Sequence, residues 1–582
     1  MIYRKLIFIF IFIFLTYSIF LYSQGIGIEQ WRDHLPFNEI YNVECTDDIT
    51  YCASKQALFY VDLSDNSINK LTRVQGLSDI GIQTIEYSSE YKCLVICYEN
   101  GNIDILKNNS ITNINAIKTK NIIGKKEIYS THIDNNLCYI GSSIGLIVLN
   151  ILKNEISDNY TIYDTNNNLM QVFSIDTDNN NMYIATNIGI FKANKKSSNL
   201  SDFYSWEKLN YTPYPDSTYN KICIFNNNLY INLKTSMSDS LYICNNNSCI
   251  NLINYTNINY INTKYNKLII CKEGYTDVIN YNGDVEKHIY TYFPEYPNPM
   301  AAQIDSKNRL WIADKNEGLI YNPRQWDLYK YKPDGPKTNV ITKLNSSENT
   351  IMVASGRYND MMNNMYYKHG ISIFKDEQWE YIPDGTDTIF DIIDIIAAPY
   401  DENEIYAASW YNGLLQYNNY KLSTIWNENN SPLETNKTIP YRWIGVGGLE
   451  FDSNNNLWIT NPYANYPLKM KTPNNKWYYF NCKNLLKNEI ITQILIDDFN
   501  QKWIIIPKSG SNKQLLVFSE NNTIDDNTDD NAVILNNNPG NGALPGSKVI
   551  SLAKDAGGPS VVVTFDPHPR LILEINPENF GL

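Results

Sequence analysis

Short apolar stretches alternate with Asn-, Asp- and Gly-rich turns along nearly the whole chain. The clearest unit has three β-like stretches, with an Asn/Asp turn after the first and a Gly or Asn turn after the second, as in residues 172–194, 301–322 and 447–471. The second stretch of each copy begins near Tyr51, Leu94, Cys138, Met182, Leu229, Leu268, Leu310, Ile351, Ile405, Leu457 and Lys502. A repeat of forty-odd residues without helical periodicity predicts an all-β fold of propeller blades.

Tryptophan marks the predicted fourth strand of several blades. It occurs at Trp31, Trp206, Trp326, Trp379 and Trp477. Because Trp31 precedes any complete blade, we expect the N-terminal strand to complete the last blade of a ring and to cover its edge.

This closure predicts two consecutive β-propellers. Seven second strands between Tyr51 and Leu310 give a seven-bladed first propeller over residues 24–323. Trp326 would then open a second propeller over residues 324–557. About five of seven blades are present there, so we expect the second ring to be incomplete and frayed.

The first 23 residues have a basic start and a long apolar run. They are interpreted as a signal peptide cleaved after Ser23, the alternative being an uncleaved membrane anchor. Either interpretation implies export. The 582-residue chain has a net charge of −14, which argues against a nucleic-acid partner.

Ten cysteines occur, mostly in apolar strand-like runs, where Cys is commonly a small buried residue. Cys244 and Cys249 flank a four-residue turn, which would place their side chains opposite each other in a hairpin. A disulfide between them and two unlinked thiols both remain open at this stage.

Motifs for catalysis or metal binding are missing from the sequence. The Asp-rich turns lack the complete calcium-loop pattern and are interpreted as hairpin turns. The five histidines are scattered, and no nucleophile motif or acid/base pair stands out. We therefore predict no catalytic residue, no metal and no cofactor.

One irregular segment, residues 355–370, lengthens the turn between the second and third strands of a blade. In a propeller such turns share an end face with the loops that enter the inner strands. Aromatic rings beside Arg suit sugar or peptide surfaces, so the segment and the neighbouring turn supply ligand-binding candidates, against the alternative of a self-packed loop. The candidates are Arg357, Tyr358, Tyr366, Tyr367, His369, Trp410 and Tyr411.

Residues 31–43, 57–106 and 539–555 resemble the two-component-regulator propeller proteins of the PorZ type, and the resemblance covers about residues 25–557. It implies two seven-bladed propellers followed by a sorting domain. It also implies a non-enzymatic role at the cell surface, in the attachment complex of the type IX secretion system. The implied partners are the other complex proteins, including the sortase, and anionic lipopolysaccharide or another glycan.

The last residues depart from this pattern. The segment "TFDPHP" in residues 558–582 resembles part of bifunctional riboflavin kinase/FAD synthetases, and no matching nucleotide loop precedes it. We interpret residues 558–582 as an anomalous tail joined near Gly557, the alternative being a divergent blade. Asp566 and His568 are assigned no catalysis.

The leading prediction is thus a non-enzymatic scaffold and recognition protein of the PorZ type, exported to the cell surface or outer membrane. It would be periplasmic if the sorting domain is absent. The alternative is the periplasmic glycan-sensing propeller portion of a hybrid two-component regulator. A propeller lyase or glycosidase would need convergent acid/base residues near a central channel.

Overall fold

The computed structural model describes residues 31–121, 124–164, 166–197, 199–324, 327–347, 349–383, 388–507, 513–546, 548–554, 561–566 and 572–575. The chain divides into two compact units, Met1–Pro333 (unit 1) and Asp334–Leu582 (unit 2). Both units are built from small antiparallel sheets, so the all-β propeller prediction is confirmed. The predicted signal peptide and the predicted join near Gly557 lie outside the described residues.

Unit 1 contains seven described four-stranded sheets, numbered here in chain order. Sheets 1 to 4 comprise β1 Asn42–Cys45, β2 Ile49–Ala53, β3 Leu58–Asp62, β4 Ile68–Leu71; β5 Ile82–Ser88, β6 Cys93–Tyr98, β7 Ile103–Lys107, β8 Ser110–Ile114; β9 Ile128–Asp134, β10 Leu137–Ser142, β11 Gly145–Asn150, β12 Glu155–Tyr160; and β13 Val172–Thr177, β14 Asn181–Thr186, β15 Gly189–Asn194, β16 Glu207–Lys208. Sheets 5 to 7 comprise β17 Tyr219–Phe225, β18 Asn228–Lys234, β19 Asp239–Asn245, β20 Ser248–Thr256; β21 Ile258–Lys264, β22 Lys267–Lys272, β23 Tyr275–Ile279, β24 Val285–Ile289; and β25 Pro299–Ile304, β26 Leu310–Asp314, β27 Gly318–Arg324, β28 Asp327–Tyr331.

Unit 2 contains four described four-stranded sheets and one of three strands. Sheets 8 to 12 comprise β29 Lys343–Ser347, β30 Thr350–Ala354, β31 Ile371–Lys375, β32 Gln378–Ile382; β33 Ile392–Ala398, β34 Asp401–Ser409, β35 Gly413–Asn418, β36 Lys421–Trp426; β37 Gly448–Phe451, β38 Leu457–Thr460, β39 Leu468–Lys471, β40 Trp477–Phe480; β41 Ile494–Ile496, β42 Lys502–Ile505, β43 Leu515–Ser519, β44 Asn531–Leu535; and β45 Lys548–Lys554, β46 Val561–Asp566, β47 Ile572–Ile575. The described helices are α1 Ala116–Thr119 and the 3-10 turns Phe203–Ser205 and Cys482–Asn484. None of these described helices has the length and apolar character needed to cross a membrane.

The repeat predicted from the sequence matches these sheets. The eleven predicted second strands all fall in the second strand of a four-stranded sheet, from Tyr51 in β2 to Lys502 in β42. Trp379 and Trp477 lie in the fourth strands β32 and β40, and Trp206 directly precedes the fourth strand β16. Trp326 is outside the described residues. The tail supplies β46, which pairs with β45 as the second strand of sheet 12.

The core of unit 1 lies between consecutive sheets and forms a closed cycle. Seven apolar clusters fill the gaps between sheets 1 and 2, 2 and 3, and so on to sheets 7 and 1. The last of these packs Phe37, Ile40 and Val43 against Trp311 and Ala313. Each sheet therefore buries both of its faces against its two neighbours, which closes the first propeller.

The predicted closing strand around Trp31 is wrong. Residues 31–41 form no strand, Trp31 is 85% exposed, and sheet 7 already has its own fourth strand, β28. The hairpin that follows β27 supplies β28 locally, so the edge needs no N-terminal strand. Closure uses face packing and backbone bonds such as Ile40 N–H to Asp314 C=O, 3.0 Å. The boundary between the units accordingly follows Pro333, whereas the sequence prediction assigns residues 324–333 to the second propeller.

The Asp-rich turns join the first and second strands. The Asp452 carboxylate accepts hydrogen bonds from the backbone N–H groups of Asn454 and Asn456, each 2.9 Å, and from the Trp458 indole N–H, 2.9 Å. Two further turns repeat the Asp–indole bond: Asp305 with Trp311 and Asp497 with Trp503. These carboxylates fix hairpins, in agreement with the interpretation as turns.

The cysteines are mostly core residues. Eight described cysteines are free and buried. Cys244 and Cys249 are cross-strand partners in β19 and β20 and are joined by a disulfide. The hairpin geometry expected from their spacing is therefore present.

We predict that Asp452→Ala lowers the free energy of unfolding by about 2–3 kcal/mol, because two backbone N–H groups and a buried indole N–H lose a charged acceptor. The measurement is guanidinium unfolding followed by tryptophan fluorescence. Asp525→Ala, at a side chain that is 83% exposed, is the control and should change stability by less than about 0.5 kcal/mol. Equal effects of the two substitutions would contradict the assigned role of the Asp–Trp turn.

Candidate binding face of unit 2

Four loops of unit 2 meet at the end of the sheets where the inner strands begin. They are the insert at residues 355–370, the segment 388–391 before β33, the turn 410–412 between β34 and β35, and the long loop 427–447 before β37. Contacts join all four, as described below. We call this surface the loop face.

Asp391 anchors the insert. It is fully buried, and its carboxylate accepts hydrogen bonds from the backbone N–H groups of Met365, Tyr366 and Tyr367 at 2.8–3.0 Å. The Asn364 side-chain amide donates a fourth bond, 3.2 Å. A charged acceptor that gathers consecutive N–H groups holds a loop strongly, so the insert has a fixed shape.

Trp410 is part of this anchor and is not available to a ligand. Its exposed fraction is 0%, and its indole N–H donates to the Met362 carbonyl at 2.8 Å. The Tyr358 ring covers it at 4.9 Å, and the Trp443 ring meets it edge-on at 5.4 Å. The expectation that Trp410 contacts a ligand is therefore wrong, because the insert folds over it, and Tyr358 is mainly a packing residue for the same reason.

The insert nevertheless leaves aromatic rings at the surface. Tyr366 is 54% exposed and lies 5.5 Å from the ring of Phe390 and 6.0 Å from that of Tyr411, and Phe390 and Tyr411 are 5.8 Å apart. Tyr441, from the long loop, is also exposed. We call Tyr366, Phe390, Tyr411 and Tyr441 the aromatic patch. Partial burial, the phenols of Tyr441 and Tyr411 and the Asp391 carboxylate raise the pKa of Tyr366.

Basic side chains also lie on the loop face. The Lys368 ammonium lies 5.3 Å from the centre of the Phe390 ring, and Arg357 and Lys437 are exposed on the same loops. The Arg442 guanidinium is engaged by Glu428 through two bonds of 2.8 and 2.9 Å. The loop face carries four basic side chains (Arg357, Lys368, Lys437 and Arg442) and four carboxylates (Asp360, Asp391, Glu428 and Glu434), so its formal charge is zero although the whole chain has a net charge of −14.

Tyr367 and His369 lie beside the patch and stack on each other, with ring centres 5.0 Å apart. The structure thus brings Tyr366 and Tyr411 together, places Tyr367 and His369 in the same insert as Tyr366, leaves Arg357 exposed on that insert, and buries Trp410. Phe390, Tyr441 and Lys368 were not among the predicted candidates. Phe390 and Tyr441 lie in loops that enter inner strands, and such loops share this face. That rule could have identified both residues from the sequence.

The carboxylates of the loop face are mostly engaged in holding it. Glu434 accepts from the Lys469 ammonium at 2.9 Å and from the backbone N–H groups of Asn465 and Tyr466. Within the described ranges, no three His, Cys, Asp or Glu side chains are grouped so that they could hold a metal ion. The chemistry that the loop face offers is ring stacking, hydroxyl bonding and the exposed basic groups of Arg357, Lys368 and Lys437.

We predict that Asp391→Ala frees the insert. Losing the shared acceptor should cost the closed loop about 2–3 kcal/mol and should speed tryptic cleavage after Arg357 and Lys368 by about 30-fold or more. Limited proteolysis followed by mass spectrometry measures this. Asp401→Ala, at the exposed first residue of β34, is the control, and a cleavage rate equal to wild type in Asp391→Ala would refute the anchoring role.

Comparisons with known proteins find a family match over part of the chain and a solved structure with a similar fold. Residues 50–207 match the family described as "TSS9, PorZ, N-terminal beta-propeller domain". The structure of PorZ from Porphyromonas gingivalis, described as an essential bacterial surface component of the type IX secretion system, is similar with a TM-score of 0.80 and 20% identity. That match covers 94% of this chain and 73% of PorZ. No curated protein sequence matched the chain.

Other propellers are more distant. The extracellular domain of a B. thetaiotaomicron protein described as a hybrid two-component system matches with a TM-score of 0.38 and 13% identity, covering 96% of this chain and 78% of the other. BamB from Moraxella catarrhalis matches with a TM-score of 0.33 and 11% identity, covering 50% and 85%. The resemblance found in the sequence is thus confirmed: the chain carries a PorZ-type N-terminal β-propeller domain, and its overall fold is similar to that of PorZ.

Proposed function

We propose that this protein is a non-enzymatic recognition component of the type IX secretion system at the cell surface. The observation that carries the proposal is the match to the PorZ N-terminal propeller over residues 50–207, together with a TM-score of 0.80 to PorZ over 94% of the chain. PorZ is described as a surface component of that system. The same setting is proposed here, with the sortase and other attachment-complex proteins as partners.

The loop face of unit 2 is the proposed site for anionic lipopolysaccharide. Tyrosine rings can stack on the apolar faces of sugar rings, and their hydroxyls can bond to sugar hydroxyls. Lys368, Arg357 and Lys437 would meet phosphate or carboxylate groups of the polysaccharide. Exposed basic side chains are needed at such a site because a net charge of −14 otherwise repels a polyanion.

Binding without catalysis is part of the proposal. The Asp391, Glu428 and Glu434 carboxylates hold the loops through several hydrogen bonds each. A general acid or base must instead reach the proton that it transfers. The loop face therefore supports recognition better than hydrolysis.

We predict that the double variant Tyr366→Ala/Tyr411→Ala binds anionic lipopolysaccharide about 30-fold more weakly than wild type, because two ring contacts of about 1 kcal/mol each are lost. Surface plasmon resonance on immobilised lipopolysaccharide measures the dissociation constant. The matched control is Tyr204→Ala/Tyr214→Ala, which removes two exposed tyrosines of unit 1. Equal weakening by both variants, or none by the first, would exclude the aromatic patch as the binding site.

A further inference from the structure

A cavity of about 460 Å³ lies on the axis of unit 1. It is lined by the inner strand, the first in chain order, of all seven sheets: β1, β5, β9, β13, β17, β21 and β25. Its volume lies within the range of about 300–1,000 Å³ that is typical of small-molecule sites.

One position of the inner strand forms a ring around this cavity. The equivalent residues, in sheet order, are Glu44, Glu86, His132, Asp176, Cys223, Asn262 and Gln303. Six of the seven side chains are acidic groups, amides or a histidine, and the cavity wall at this level is therefore rich in hydrogen-bond acceptors.

Part of the ring binds the sheets together. The Asp176 carboxylate accepts the backbone N–H of Ile224 at 2.6 Å, and His132 bonds to the Thr177 hydroxyl at 2.9 Å. Glu86 accepts the backbone N–H of Ile133 through Oε1, 2.8 Å. Each of these bonds joins two consecutive sheets, so the side-chain atoms that make them have a structural role.

On sheets 7, 1 and 2, the ring residues Gln303, Glu44 and Glu86 form an arc. Two buried side-chain oxygens of this arc have no hydrogen-bond partner among the described residues. Gln303 donates through Nε2 to Glu44, 3.0 Å, and to the Tyr260 hydroxyl, 2.9 Å. Gln303 is 1% exposed, yet its Oε1 has no hydrogen-bond partner among the described residues. Glu86 Oε2 is likewise buried without a partner there. Both atoms are acceptors, and burying them unpaired is costly.

The charge of the arc is also unbalanced. Glu44 has the Lys264 ammonium at 3.6 Å, whereas no described cation pairs with Glu86. Burial raises the pKa of Glu44 to about 7. The Lys264 ammonium opposes this shift, and the Glu86 carboxylate adds to it. The other lysines that line the cavity are Lys55, whose ammonium donates to Gln83 Oε1 at 2.6 Å, and Lys221, and no described ion pair joins either of them to Glu86.

We propose that the axial cavity of unit 1 binds a hydroxylated primary amine, such as an amino sugar, with its ammonium group between Glu86 and Gln303. An ammonium group supplies the N–H donors that Glu86 Oε2 and Gln303 Oε1 lack, and it balances the second carboxylate. The described residues contain no grouping suited to a metal ion, which favours an organic cation.

The remaining wall suits the sugar part of such a ligand. Thr84, Ser130 and Ser174 line the cavity two residues before the ring position, and the buried Ser130 hydroxyl has no partner among the described residues. Tyr129 and Phe173 lie one residue further towards the strand starts, with ring centres 4.9 Å apart. Hydroxyl groups and aromatic faces are the groups that recognise a pyranose ring. This site is separate from the loop face and does not rest on the proposed function.

Isothermal titration calorimetry of the full chain with D-glucosamine tests the proposal, with D-glucose at matched ionic strength as the comparison ligand. We expect saturable millimolar binding of D-glucosamine and at least about tenfold weaker binding of D-glucose, since D-glucose lacks the ammonium group. The absence of glucosamine binding, or equal binding of the two sugars, would overturn the proposal without any variant.

Glu86→Gln then locates the site. Glutamine keeps the oxygen that accepts the Ile133 N–H but replaces Oε2 by a donor, so we expect glucosamine binding to weaken by about tenfold or more while circular dichroism stays unchanged. Glu155→Gln, at an exposed outer-strand carboxylate, removes the same charge away from the cavity and should bind as wild type. Wild-type affinity in Glu86→Gln would place the amine elsewhere and refute the site.

Discussion

Every sheet of unit 1 must bury two apolar faces, and this single requirement determines the rest of the unit. A four-stranded sheet can satisfy it only by packing between two others, and seven shared cores run in a cycle from sheets 1 and 2 to sheets 7 and 1. The cycle brings the seven inner strands together around one axis. Polar side chains are then forced to face each other there, which explains why Glu44, Glu86 and Asp176, distant in sequence, line one cavity.

The same packing in unit 2 holds the strands in place, so its loops can form a binding surface. Apolar clusters between sheets 8 and 9, 9 and 10, 10 and 11, and 11 and 12 fix the strand ends. Buried anchors then shape the loops: Asp391 gathers the backbone of the insert, and Trp410 holds its far side. A rigid scaffold with anchored loops presents the aromatic patch in one arrangement, as recognition requires.

The sequence predicted the sheets better than it predicted the surfaces. Blade positions such as Met182 and Leu457 could be found because each strand alternates in the same way between fixed turns. Closure around Trp31 was wrong because a sequence shows where a strand can form but not whether an edge is already paired, as β28 pairs β27. Trp410 was misassigned because its burial depends on an insert folding back over it. Glu44 and Glu86 were missed since their meeting depends on the ring, although aligning the inner strands by repeat position would have placed them together.

We propose that this protein serves the attachment of type IX secretion cargo by recognition at the cell surface. The most direct measurement is the amount of cargo anchored at the surface of the bacterium that encodes it, after deletion of the gene and complementation. We expect deletion to release cargo into the medium and wild type to restore anchoring. The Tyr366→Ala/Tyr411→Ala chain, expressed at the same level, should restore it only in part. Unchanged cargo anchoring after deletion would contradict the account.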